Sequence, residues 1–229
     1  MKASEAILEF LIPGILATTG FLLMLGGICQ LTGVDIMIHI STITKQGVGL
    51  QSIFGFFFLS ISYVMGILCS NLVGMMLKGI ANKKLIYVFD ENSISLRKAG
   101  INQLVGSEPS QKGWNTKQAM RLIKAYTSAN SEAAERDVQA HTKHVRIVRS
   151  TILGVTLMFI GLNVAFWSIK VLPFNAKLII CGLATLVGFG TLMTLVDSYF
   201  YRLGLLYSTS IAYFVALQQA KPSSKKGST

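Results

Sequence analysis

Asp137, His141 and His144 stand four and three residues apart, so on a helix they share one face and offer a carboxylate and two imidazoles to a divalent metal. No fourth ligand is evident, and Lys143 and Arg146 would repel the cation, so a solvated helix face is the favoured reading. Asp197 is a second candidate. It closes a long apolar stretch, with Tyr201 one helical turn on and Arg202 beside that, and acids within membranes serve as proton carriers or ion ligands. At the edge of such a stretch an acid also hydrates or pairs with a basic side chain at small cost, and that structural role is preferred. Asn71 is an uncharged polar group inside another apolar stretch, where hydrogen bonding across helices is favoured over lining a pore. No nucleophile with an adjacent base, no phosphate-cradling glycine loop and no zinc spacing occurs, so neither an enzyme nor any metal or cofactor is expected.

Arg136 and His141 also have the Arg-x4-His spacing, which resembles that of HEPN-class ribonucleases, whose paired helices bring both side chains to a dimer interface. Asp137 stands where that class often carries asparagine or another polar residue after the arginine, and a nuclease is not the favoured reading.

The elements that must position these residues are apolar. Four stretches lack charge: Ala6 to Asp35 broken only by Glu9, Gln46 to Leu77, Ser150 to Ile169, and Leu178 to Val196. Crossing roughly 30 Å of hydrocarbon takes about 20 residues of helix, and each stretch supplies close to that. The 229 residues are 52% hydrophobic and 14% charged, with a mean hydropathy of +0.55, too apolar for a soluble domain of this size. The expected fold is an all-α membrane protein with four transmembrane helices and a cytoplasmic insert between the second and third spans. Its first span has neither the length nor the cleavage pattern of a removed signal peptide. Cys29, Cys69 and Cys181 fall inside the spans as small apolar packing residues.

Basic residues orient the chain. With both termini cytoplasmic, eighteen Lys and Arg residues lie inside, and only Lys45, Lys170 and Lys177 lie outside. The net charge of +11 is therefore mostly a cytoplasmic-face charge, suited first to anionic lipid headgroups. Direct nucleic-acid binding is the less favoured alternative, since both ligands present phosphates. Lys117, Arg121, Lys124, Lys143, Arg146 and Arg149 are the candidate contacts to lipid or to a protein partner.

Four segments follow: a first transmembrane hairpin over residues 1–78, a basic insert over 79–148, a second hairpin over 149–198, and a cytoplasmic or interfacial helix with a disordered tail over 199–229. Pro13 and Gly14 sit near the start of the first span. In the second, Ser62, Gly66, Ser70 and Gly74 recur every fourth residue, a small-residue ridge that lets two backbones approach. Residues 32–49 form an outside segment in which Ile36, Ile38 and Ile40 alternate with polar residues, suggesting a short extended or interfacial piece.

In the insert, residues 85–89 and 93–96 flank Asp90, Glu91 and Asn92 as a candidate small β-hairpin. A loop follows at Gly106 to Gly113. A helix capped by Asn115 or Thr116 then carries Ala119, Leu122, Ile123 and Tyr126 on one face. No core of its own is evident in the insert, which suits docking. From Ser131 no helix breaker occurs before Pro173, so one helix should rise into the third span. Lys170 to Lys177 turn it tightly into the fourth, beyond which the aromatic-rich residues 199–218 either extend the helix or lie on the membrane surface.

Phe10, Pro13 and Gly14 in the first span, Tyr63 and Gly66 in the second, a basic insert, and Asp197, Tyr199, Tyr201 and Arg202 after the fourth form a layout that resembles small four-span membrane proteins of bacterial antiphage defence loci. It is closest in kind to the membrane subunit of the two-gene Kiwa system. The resemblance implies an oligomer in the bacterial inner membrane that senses phage-induced perturbation of the envelope and works with a cytoplasmic DNA-binding partner. The residues alone leave three classes: a homo-oligomeric sensor and anchor holding a cytoplasmic protein partner, an oligomeric channel or pore-forming effector, and a small transporter. The last lacks an internal repeat and a midplane carboxylate.

Overall fold

The computed structural model describes residues 3–33, 48–102 and 116–220. The readings for the extended piece around Ile36 to Ile40, the loop from Gly106 to Gly113, the cap Asn115 and the tail 221–229 lie outside the described residues. The described chain is helical throughout: α1 Ala3–Leu31, α2 Val48–Met76, α3 Lys78–Glu91, α4 Ser93–Lys98, α5 Thr116–Asn130, α6 Glu132–Ser168 and α7 Phe174–Ala220. Four of them, α1, α2, α6 and α7, are long and apolar enough to cross a membrane, and the protein is a multi-pass membrane protein. With 47 residues, α7 extends about 70 Å at 1.5 Å per residue, more than twice the hydrocarbon thickness. The aromatic-rich stretch after Asp197 therefore continues the fourth helix.

The chain forms two compact units: Met1–Met76 with Arg146–Tyr199, and Leu77–Val145 with Phe200–Thr229. In the first, α1 touches α2 on one side and α6 on the other. A Cβ added at Gly14 would fall on the Ser62 carbonyl, and one at Gly66 on the Phe10 carbonyl, so α1 and α2 run antiparallel with backbones in direct contact. A Cβ at Gly154 would lie 2.6 Å from the Pro13 oxygen, and one at Gly161 would fall on the Gly20 oxygen, so α1 and α6 run parallel. Ser168 Oγ donates to Gln30 Oε1 at 3.0 Å at their shared far end. Between α6 and α7, Thr185 Oγ1 donates to Asn163 Oδ1 at 3.4 Å and Lys177 Nζ to the Trp167 carbonyl at 3.1 Å, closing the tight hairpin. Small residues make these approaches possible where lipid supplies little hydrophobic drive between helices. Outward faces carry exposed Phe56, Phe57, Leu186 and Phe189, which water would penalise and hydrocarbon accepts.

The second unit corrects two expectations. Residues 85–96 are not a hairpin but lie in α3 and α4, with Asn92 between them. Leu85, Val88 and Phe89 are buried at helical spacing, and Asn92 Nδ2 donates back to the Val88 carbonyl at 2.8 Å. The insert also has a core. Those three residues pack with Leu96, Ala99, Ile101, Ala119, Met120 and Ile123, and α7 completes the cluster with Ile211 and Phe214. Gly100, at φ +75°, ends α4 in the left-handed conformation that glycine adopts without strain. Ser131 Oγ accepts the Ala134 N–H at 3.2 Å and caps α6, whose first turn carries Glu132 and Glu135.

Candidate functional site

Because α1 and α6 run one way and α2 and α7 the other, the end of the first unit that carries Gly74 also carries Arg149 and Tyr199. Arg149 stands one residue before the charge-free stretch of α6 and is half-buried. It reaches α2, where its Nε and Nη2 donate to Ser70 Oγ at 3.2 and 3.0 Å. Gly74 makes room: a Cβ there would lie 2.9 Å from Arg149 Nη1. Ser70 is 2% exposed, Ser150 is fully buried and Tyr199, which feels the Arg149 charge, is buried too. Ser150 Oγ donates to the carbonyls of Arg146 and Ile147, both at 3.0 Å. A guanidinium at the margin of apolar helices keeps a full positive charge that one neutral hydroxyl does not neutralise, and chemically it can accept an anion.

The small-residue ridge thus has occupants within the chain. Ser62 is fully buried beside α1, Gly66 lies on Phe10, and Ser70 and Gly74 receive Arg149. Among the candidate basic contacts, Arg149 is committed to Ser70 rather than projecting freely. Glu9 was visible in the sequence only as a break in the first apolar stretch, yet it is 2% exposed in α1. Burial of a carboxylic acid leaves no periodicity signal, because one polar residue on a helix that is apolar all round has no face to break. Asn71, next to the ridge, faces outward.

The other candidates scatter. Asp197 is exposed, Tyr201 is 71% exposed and Arg202 is half-buried, and no hydrogen bond joins Asp197 to Tyr201. In the second unit, Asp137 accepts the Tyr213 hydroxyl at 2.5 Å, which turns it to α7 and away from a metal role. Among the described residues no group of three His, Cys, Asp or Glu side chains can hold a metal ion. His144 lies outside the charge-free stretch. Partial loss of solvent, and then the positive charges of Arg202, His141 and Lys143, hold its pKa below the usual imidazole value, an environment that repels cations. Arg136 pairs with Glu132 one turn earlier on an exposed face.

Lys117 and Arg121 stand exposed on α5, opposite its buried face of Ala119, Met120, Ile123 and Thr127. Lys124, one step further along, lies 5.7 Å from the Tyr207 ring centroid. Lys143 is half-buried and Arg146 exposed. Comparison of the chain with protein-family models, with curated proteins and with solved structures found no match.

Proposed function

We propose that the protein is a non-enzymatic sensor and anchor of the bacterial inner membrane, homo-oligomeric, with both termini cytoplasmic, that couples a disturbance of the membrane, phage infection among them, to a soluble cytoplasmic protein. The observation that carries the reading is the continuity of α6 and α7. Each runs unbroken from a charge-free stretch into residues of the second unit, and α7 supplies Ile211 and Phe214 to that unit's core. A helix with no break between a lipid-facing segment and a packed core transmits displacement along its axis, since both ends are one hydrogen-bonded rod.

The basic charge excess suits an acidic protein surface or anionic lipid, and the exposed Lys117 and Arg121 are its clearest docking residues. Five of the span hydroxyls speak for an anchor over a pore. Ser60, Thr151, Thr156, Thr191 and Thr194 donate to carbonyls four residues earlier in their own helices, so they are satisfied without a water-filled path.

Gentle detergent purification of the tagged protein from its host, with membrane potential followed during expression, tests this. The expected result is an oligomer with a stoichiometric soluble partner and an intact potential. An oligomer without partner that collapses the potential identifies a pore and overturns the reading.

A further inference from the structure

We infer that Arg149 is the centre of a phosphate-binding site for an anionic lipid at the basic end of the spans. Four observations converge on it. Arg149 precedes the charge-free stretch Ser150 to Ile169 by one residue, and Gly74 lies two residues before the end of α2, so the guanidinium sits within about one helical turn of where both apolar segments stop. Lipid phosphates occupy that depth, since headgroups add roughly 5–8 Å to each side of the hydrocarbon.

Second, the guanidinium is held in place: Nε and Nη2 share Ser70 Oγ, at 3.2 and 3.0 Å, and this fixes the plane of the fork. Third, Ser70 takes only the Nε and Nη2 side of the fork, and its Nη1–Nη2 end remains, with Nη1 packed over Gly74 where a Cβ would come within 2.9 Å. One N–H from each of Nη1 and Nη2 forms the parallel pair at that end, and such a pair fits two oxygens of a phosphodiester. Fourth, Arg146, one turn earlier on the same helix, is exposed and adds a second cation.

The site deepens the sensor reading, because it names what the protein touches at the membrane edge. It is tested apart from that reading, on purified protein with no partner and no stimulus. The protein is delipidated in detergent, exchanged against phosphatidylglycerol or phosphatidylcholine, and its retained lipid counted by native mass spectrometry. One phosphatidylglycerol per protomer should survive, with phosphatidylcholine lost.

Arg149→Gln should weaken that retention about tenfold, the loss expected for a charge-assisted pair. Arg97→Gln, the same charge change at an exposed position of α4, should leave it unchanged. Should Arg149→Gln fail to fold, Gly74→Ala displaces Nη1 while keeping the charge and should weaken retention as well. Inorganic phosphate in the exchange buffer separates the two sources of the anion: displacement of the lipid at millimolar phosphate would make this a site for free phosphate and overturn the lipid assignment. Equal retention of both lipids, or an Arg149→Gln protein that melts earlier yet keeps its phosphatidylglycerol, would reduce Arg149 to a clamp between helices and overturn the site altogether.

Discussion

Ser70 and Arg149 illustrate how one pair of residues changes meaning between chain and fold. In the sequence, Ser70 is one of four small residues on a ridge, and Arg149 is the last of a basic run. Folded, the serine hydroxyl accepts two N–H groups of the arginine. Ser70→Ala removes that acceptor and leaves a half-buried guanidinium with no hydrogen bond among the described residues. The expected cost is about 1.5–3 kcal/mol, read as earlier thermal unfolding in detergent than the parent. The pair Asp137–Tyr213 behaves differently because it is solvent-exposed. Tyr213→Phe should leave the unfolding midpoint in the same assay close to the parent's, since water replaces what the carboxylate loses.

Helices α1 and α2 touch through backbone at Gly14 and Gly66, and there a side chain has nowhere to go. The obstructing atom at Gly66 is the Phe10 carbonyl, which cannot rotate aside as a flexible side chain would. Gly66→Ala should therefore cost about 1–3 kcal/mol, the range for overpacking, whereas Gly26→Ala, where a Cβ meets nothing within 4 Å, should be neutral. Heat-denaturation midpoints of the two variants in one detergent check both. The four-residue repeat of the ridge was legible because small residues at helical spacing have few other uses in a membrane. The helical state of α3 was not. Leu85 to Phe89 is a five-residue run of residues that favour strands, too short for its period to be read. Its side chains at 85, 88 and 89 go inward together only because α5 and α7 supply a surface for them.

The second unit assembles from segments far apart in the chain. Phe214 is fully buried and meets Tyr126 edge to face at 5.5 Å between ring centroids. Phe214→Ala should cost about 3–5 kcal/mol, and hydrogen exchange should quicken in α3 and α5, two elements over 80 residues upstream. Exchange quickening confined to α7 would mean that the core is not shared.

Much about this protein is fixed by composition and periodicity along the chain. Four apolar stretches of spanning length, the lopsided placement of basic residues and the continuity of α6 depend only on local composition, since hydrocarbon acts on each segment independently. Tertiary structure alone decided which partner each small residue faces, that Glu9 is buried, that Arg149 turns onto α2, and that the insert closes its core with the end of α7. Those outcomes rest on contacts between residues remote in sequence, and the strength of a contact is set by the surface it meets, which no window along the chain contains.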